Sequence, residues 1–213
     1  QWPGDGTLDD PAFLAFLAGT GPTLADNAAS KIDAQRAGAE LLDLIGPAVL
    51  LTHSAGGPPG WLIADARPAL VRGILAVEPL GPPFAAISGA LPFGITHAPL
   101  AFDPPLAAPE ELASVDLPSP GPGLVPYKVQ AEPARRLPNL ADIPIAVVTA
   151  EASWMAADNH AMVHFLRQAG CSVEHWRLAD FGVHGNGHAM QLEKNSDDVA
   201  AVLHKWLIEK GLG

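Results

Sequence analysis

Ser54 lies in the run Thr52-His53-Ser54-Ala55-Gly56-Gly57, between an apolar stretch and a segment of helical character. A strand that enters a turn of small residues and leaves as a helix is the setting of a nucleophile elbow. Such a turn strains the backbone of its central residue and presents the hydroxyl above the end of a sheet. The residues two positions to either side must be small, so that strand and helix can approach. Gly56 meets that need, whereas Thr52 stands where glycine is usual. The pentapeptide is therefore a variant, and alone it fits a serine that caps the next helix equally well.

A serine becomes a nucleophile when a base takes its proton and an acid orients the base. The loop Gly182-Val183-His184-Gly185-Asn186-Gly187-His188, ahead of a final helical segment, offers two histidines. In enzymes with this elbow the order along the chain is serine, acid, histidine. Glu78 and Glu151 each follow an apolar run, and Asp158 opens a helical segment. Position after a strand does not separate Glu78 from Glu151. Two histidines among three glycines could also clip a metal, but neither an acidic pair nor a cysteine accompanies them at ligand spacing. No metal and no cofactor are expected.

The elements that must position these residues can be read in outline. Ile32, Ala39, Leu42 and Ile45 recur at helical intervals and Gly46-Pro47 stops the pattern. Residues 48–52 are wholly apolar, as in a strand buried on both faces of a parallel sheet. Residues 58–66 predict a helix, 73–77 a second buried strand, 145–149 a third and 173–178 a fourth. Helices are expected over 158–169 and from Ser196, a plausible cap followed by Asp197 and Asp198, to Lys210. Strands alternating with helices give a mostly parallel sheet covered on both faces. Residues 1–28, rich in Gly, Pro and Asp, read as a cap or linker segment near a chain break, with Trp2 and Phe13 as candidate pocket lining. Residues 29–213 read as the core. The Pro-rich stretch about 118–123, inside 81–142, predicts an excursion over the surface.

The segments Leu51-Thr52-His53-Ser54-Ala55-Gly56, Ala76-Val77-Glu78-Pro79 and Gly182 to Met190 together resemble the Alcaligenes-type secreted esterase family of bacteria and fungi, within the α/β-hydrolase superfamily. The similarity runs from about residue 29 onward. It implies an α/β-hydrolase fold with a Ser/Glu/His triad whose glutamate follows the strand after the nucleophile. Ser54 then matches the nucleophile, Glu78 the acid and His188 the base, with Glu151 the alternative acid and His184 a loop residue outside the triad. The backbone N–H of Ala55 would be one oxyanion donor. Departures are Ala55-Gly56-Gly57 after the serine and the long Pro-rich insertion. The implied activity is hydrolysis of a small-molecule carboxylic ester; an amide, a lactone, or a catalytically inactive binding module are the alternatives. Resemblance alone favours a secreted or periplasmic location.

The chain has 213 residues, 48% of them hydrophobic, enough for a sizeable core. No apolar run reaches the roughly 18 residues that suggest a membrane span. A net charge of −11, with 12 Lys and Arg, argues against a nucleic-acid surface. Cys171, the one cysteine, cannot form a disulfide within the chain and reads as a small buried residue. No confident strand precedes residue 48, and no early Gly-rich turn offers a second oxyanion donor. The expectation is the C-terminal part of an α/β-hydrolase fold, completed by a second chain that supplies N-terminal strands and the remaining donor.

Overall fold

The computed structural model describes residues 1–22, 26–85 and 91–213. Parts of the two segments expected at 1–28 and 81–142 thus lie outside the described residues. The elements in order are α1 (Pro11–Ala18), α2 (Asn27–Ile45), β1 (Ala48–His53), α3 (Gly57–Ala66), β2 (Val71–Val77), β3 (Ser114–Leu117), β4 (Tyr127–Gln130), α4 (Pro138–Ala141), β5 (Ile145–Thr149), α5 (Asn159–Gln168), β6 (Val173–Arg177) and α6 (Ser196–Glu209). β1, β2, β5 and β6 form one parallel sheet in that order. β3 and β4 make a separate antiparallel pair.

The two inner strands are apolar on both faces because each face meets helices. Ile74 and Ala76 of β2, with Ile145 and Val147 of β5, join a core containing Trp61 of α3 and Phe165 of α5. Their alternate neighbours Leu75, Val77, Ala146 and Val148 pack on the opposite face with Trp206 of α6. Cys171 is buried and free, its thiol pushed up to about 12 mainly by burial, so it packs as a small apolar residue.

Two expectations are corrected. The inward face of α2 is carried by Ala39 and Leu42, while Ile32 and Ile45 are exposed. The segment 81–142 is not a surface excursion as a whole. Pro118 and Pro120 are exposed, but Leu91 is buried, and Ile95, Leu100, Phe102 and Leu112 are buried in the core with residues of α3 and α5. The Pro and Gly content of this stretch hid an apolar set that has no helical or strand period, because it packs as irregular chain.

Candidate active site

β1 ends at His53, and Ser54 follows with φ of 53° before a short 3₁₀ turn leads into α3. Left-handed backbone at a residue with a side chain costs of order 1–3 kcal/mol and persists only where its surroundings fix it. Here the Leu80 N–H donates to the Ser54 carbonyl at 2.8 Å, and the Lys31 ammonium donates to the Ala55 carbonyl. Two glycines allow the close approach. A Cβ at Gly60 would stand 2.6 Å from Thr52 Cγ2, so the helix makes room for the threonine that the sequence places where glycine is usual. A Cβ at Gly57 would stand 2.6 Å from Pro79, so α3 sits directly against the turn carrying Glu78.

Glu78 follows β2, fully buried, with φ of 42°. An ionised carboxylate there needs several donors to replace water. It has three: the Ala150 N–H on Oε1 at 2.9 Å, and the Ser153 hydroxyl and His188 Nδ1 on Oε2, each at 2.6 Å. On its other side the His188 ring reaches Ser54, with Nε2 to Oγ at 2.8 Å. Ser54, His188 and Glu78 thus form a continuous relay across the carboxyl ends of β1 and β2.

The loop bearing His188 is held by a buried polar cluster. Asn186 is fully buried and donates through Nδ2 to Glu193 Oε2 and Asn195 Oδ1, while Asn195 donates back to Asn186 Oδ1. The Gly187 N–H donates to Glu193 Oε1, and the Asn186 carbonyl accepts from the Ala152 N–H. His53 adds a further tie, from its Nε2 to the His188 carbonyl at 2.8 Å.

Glu151 lies elsewhere. It is exposed and accepts from the Gly185 N–H at 3.1 Å and from His184 Nδ1 at 3.2 Å, which hold its carboxyl below the usual range in that order of importance. Asp158 makes no capping bond to α5, and one of its oxygens is buried without a partner. Burial, followed by the charge of Glu78, pushes its carboxyl up to about 6. Trp2 donates to Asp10 Oδ2 inside its own N-terminal turn, and Gln1 reaches the His184 carbonyl, so this end of the chain rests on the histidine loop. Ala55 is exposed in the elbow.

Sequence reasoning missed Ser153, Glu193, Asn195 and Trp154. The Trp154 ring lies 5.3 Å from that of His188 and is 54% exposed. All four stand in irregular chain, where no periodicity marks them; only Asn186, inside the histidine motif, hinted that the loop needed buried partners. Among the described residues no group of three or more His, Cys, Asp or Glu is placed to hold a metal ion.

The chain is similar to several known proteins. The probable secreted lipase phiG of a fungal species (strain ATCC 74256) is 42% identical over 213 residues, which cover 97% of this chain and 58% of that protein. The chain therefore spans less than two-thirds of the length of this curated relative. Among solved structures, a bacterial esterase determined at atomic resolution is 21% identical, with a TM-score of 0.49, over 81% of this chain and 41% of that one. The monoacylglycerol lipase of Paleococcus ferrophilus is 16% identical, with a TM-score of 0.46, over 84% of this chain and 76% of that one. The model described as "Alpha/beta hydrolase family" matches residues 1–202, well over half of the sequence, and the chain belongs to the alpha/beta hydrolase family.

Proposed function

We propose that the protein hydrolyses carboxylic esters of small molecules through an acyl-enzyme on Ser54. The observation that carries this reading is the relay from Ser54 Oγ through the His188 ring to Glu78, at 2.8 and 2.6 Å. As Ser54 attacks the ester carbonyl, His188 Nε2 takes the hydroxyl proton and returns it to the leaving alcohol. Glu78 fixes the Nδ1–H tautomer and stabilises the imidazolium that forms. The Ala55 N–H is one oxyanion donor, a contribution typically of about 3 kcal/mol. Water then attacks the acyl-enzyme along the same path.

The name of the fungal relative, a probable secreted lipase, supports ester chemistry and a secreted setting. A fluorophosphonate probe with peptide mass spectrometry tests the reading. Ser54 is expected to be labelled in the native sequence and unlabelled in His188→Ala; labelling that persists in the variant, or never occurs, overturns it.

We further propose that in the working enzyme a second polypeptide adds strands along β1 and brings the remaining oxyanion donor. Among the described residues β1 pairs on one side only, with β2. Leu51 in its middle is 63% exposed, beside an apolar hollow of about 290 Å³ walled by Val77, Met190, Val199 and Leu203. A strand edge with exposed apolar side chains is a pairing site. Copurification of a companion chain that raises turnover supports this proposal; full activity of a monodisperse monomer refutes it.

A further inference from the structure

At the far edge of the sheet from β1, two elements place five basic side chains around one hollow. His160, His164 and Arg167 follow one another at intervals of four and three on α5, and so form a single stripe. His175 and Arg177 are two apart on β6, and so share a face. With Tyr127 of β4 they line an open cavity of about 560 Å³. Among the described residues no carboxylate lines it.

That lining runs against the balance of the whole chain, which has 23 Asp and Glu to 12 Lys and Arg. Neither Arg167 nor Arg177 forms an ion pair among the described residues; Arg36, Arg67 and Arg135 do, while Arg72 and Arg136 do not. Arg167 donates through Nε and Nη2 to the Val173 carbonyl, which fixes the guanidinium and leaves Nη1 outside those two bonds. The acid that acts electrostatically on His164, Glu132, is engaged by Gln168 Nε2 and the Ala134 N–H. An adjoining hollow of about 260 Å³ shares His175 and Arg177 and reaches Glu151, but that carboxylate is held by His184 and Gly185.

The cluster is pre-arranged. Tyr127 Oη and His164 Nδ1 lie 2.8 Å apart. Thr149 Oγ1 accepts from Asn159 Nδ2 and lies 2.9 Å from His175 Nε2, which holds that ring in place. Burial, then repulsion from Arg177, Arg167 and His160, pushes His175 down to about 4. Two guanidinium groups without an ion pair among the described residues, beside neutral ring and hydroxyl groups, are what an anion site presents before its ligand arrives.

We propose that this pocket binds a small multivalent oxyanion, phosphate or polycarboxylate, through the Arg167 and Arg177 guanidinia with His164, His175 and Tyr127 as further polar contacts. Guanidinium forks match such oxygens in pairs. None of these residues belongs to the Ser54 relay. Pro120 and Leu124 of the Pro-rich stretch form part of the wall, so a bound anion would rest against that stretch as well as the sheet.

Titration calorimetry of the 213-residue chain at fixed ionic strength tests this, with inorganic phosphate and citrate as the two probes and chloride as the reference. Saturable one-to-one binding of either probe is expected, and the responding probe identifies the oxyanion. Arg167→Gln with Arg177→Gln should weaken it at least tenfold, roughly the loss of one charge-assisted contact. Arg177→Gln alone, which removes no side-chain hydrogen bond among the described residues, should weaken it several-fold with an unchanged melting temperature. Arg36→Gln, whose partner Asp33 lies on α2, should bind as the native chain does. Heats that never saturate with either probe, or an Arg177→Gln chain that binds like the native one, overturn the proposal.

Discussion

His53 and His188 are joined twice: their ring centroids lie 4.7 Å apart, and His53 Nε2 stands 2.8 Å from the His188 backbone carbonyl. A carbonyl oxygen only accepts, so Nε2 of His53 carries the hydrogen. The last residue of β1 thus ties down the backbone of the proposed base, one position before the proposed nucleophile. The Ser54–His188 distance is set from the strand as well as from the Asn186 cluster.

Removing that donor should therefore slow turnover without weakening substrate capture. His53→Phe keeps a ring against His188 but cannot donate; a lost hydrogen bond of about 1 kcal/mol corresponds to roughly fivefold in kcat. His53→Gln can place an amide N–H near the same carbonyl and should recover most of the loss. Steady-state kinetics on a p-nitrophenyl ester read both, and KM should stay within about twofold. Equal kcat values for the Phe variant and the native protein would show that this bond does not position the base.

The two candidate acids should separate sharply. Glu78→Gln keeps the size of the side chain but removes the charge that His188 Nδ1 meets, and should lower kcat by roughly 10³–10⁴-fold. Glu151→Gln touches only the exposed pair with His184 and Gly185, and should stay within about threefold of the native rate. Collapse of activity in the second variant alone would move the acid to Glu151.

The contrast between these glutamates shows what was legible in the sequence and why. The buried strands of the sheet were readable because two-sided burial demands continuous apolar runs, as in Ile145 to Thr149. Ser54 and the histidine loop were readable because an elbow and a reaching loop need particular small residues. Glu78 was named over Glu151 by the resemblance, since both end strands; in the fold their neighbours differ, Ala150, Ser153 and His188 for one, His184 and Gly185 for the other. The core role of Ile95 and Phe102 was illegible for a related reason, because irregular chain buries residues without a period.

Asp158 gives a pH dependence with a definite sign. Its carboxyl, pushed up to about 6 by burial and then by Glu78, has a higher pKa in the folded chain than its ordinary 3.8. Between those values the folded state binds the proton more tightly than the unfolded one, so this group's contribution falls as pH rises through about 4 to 6. Two units would amount to about 3 kcal/mol, which partial exposure reduces to about 1–2 kcal/mol. Asp158→Asn removes the cost of ionisation and should raise the melting temperature at pH 8 by about 2–8 °C. Near pH 4 the two proteins should melt together. A gain of equal size at both pH values, read by scanning calorimetry, would assign the effect to something other than this charge.

The edge of β1 that is unpaired among the described residues should behave as a docking surface. Leu51 lines one hollow with Val77 of β2 and with Val199 and Leu203 of α6, yet it remains 63% exposed. An apolar edge left unpaired invites pairing with another strand, and a lysine placed on it is a common way of preventing that. Leu51→Lys should therefore weaken capture of the companion chain and reduce self-association of the isolated chain, both visible by sedimentation velocity. Since Leu51 is largely in solvent, folding stability should change by no more than about 0.5 kcal/mol. The relay itself should persist, because Ser54, Glu78 and His188 make no bond to the Leu51 side chain, and fluorophosphonate labelling of Ser54 in the variant reports that directly. An unchanged sedimentation profile, with the companion still captured, would remove β1 as the site of attachment while leaving the chemistry at Ser54 untouched.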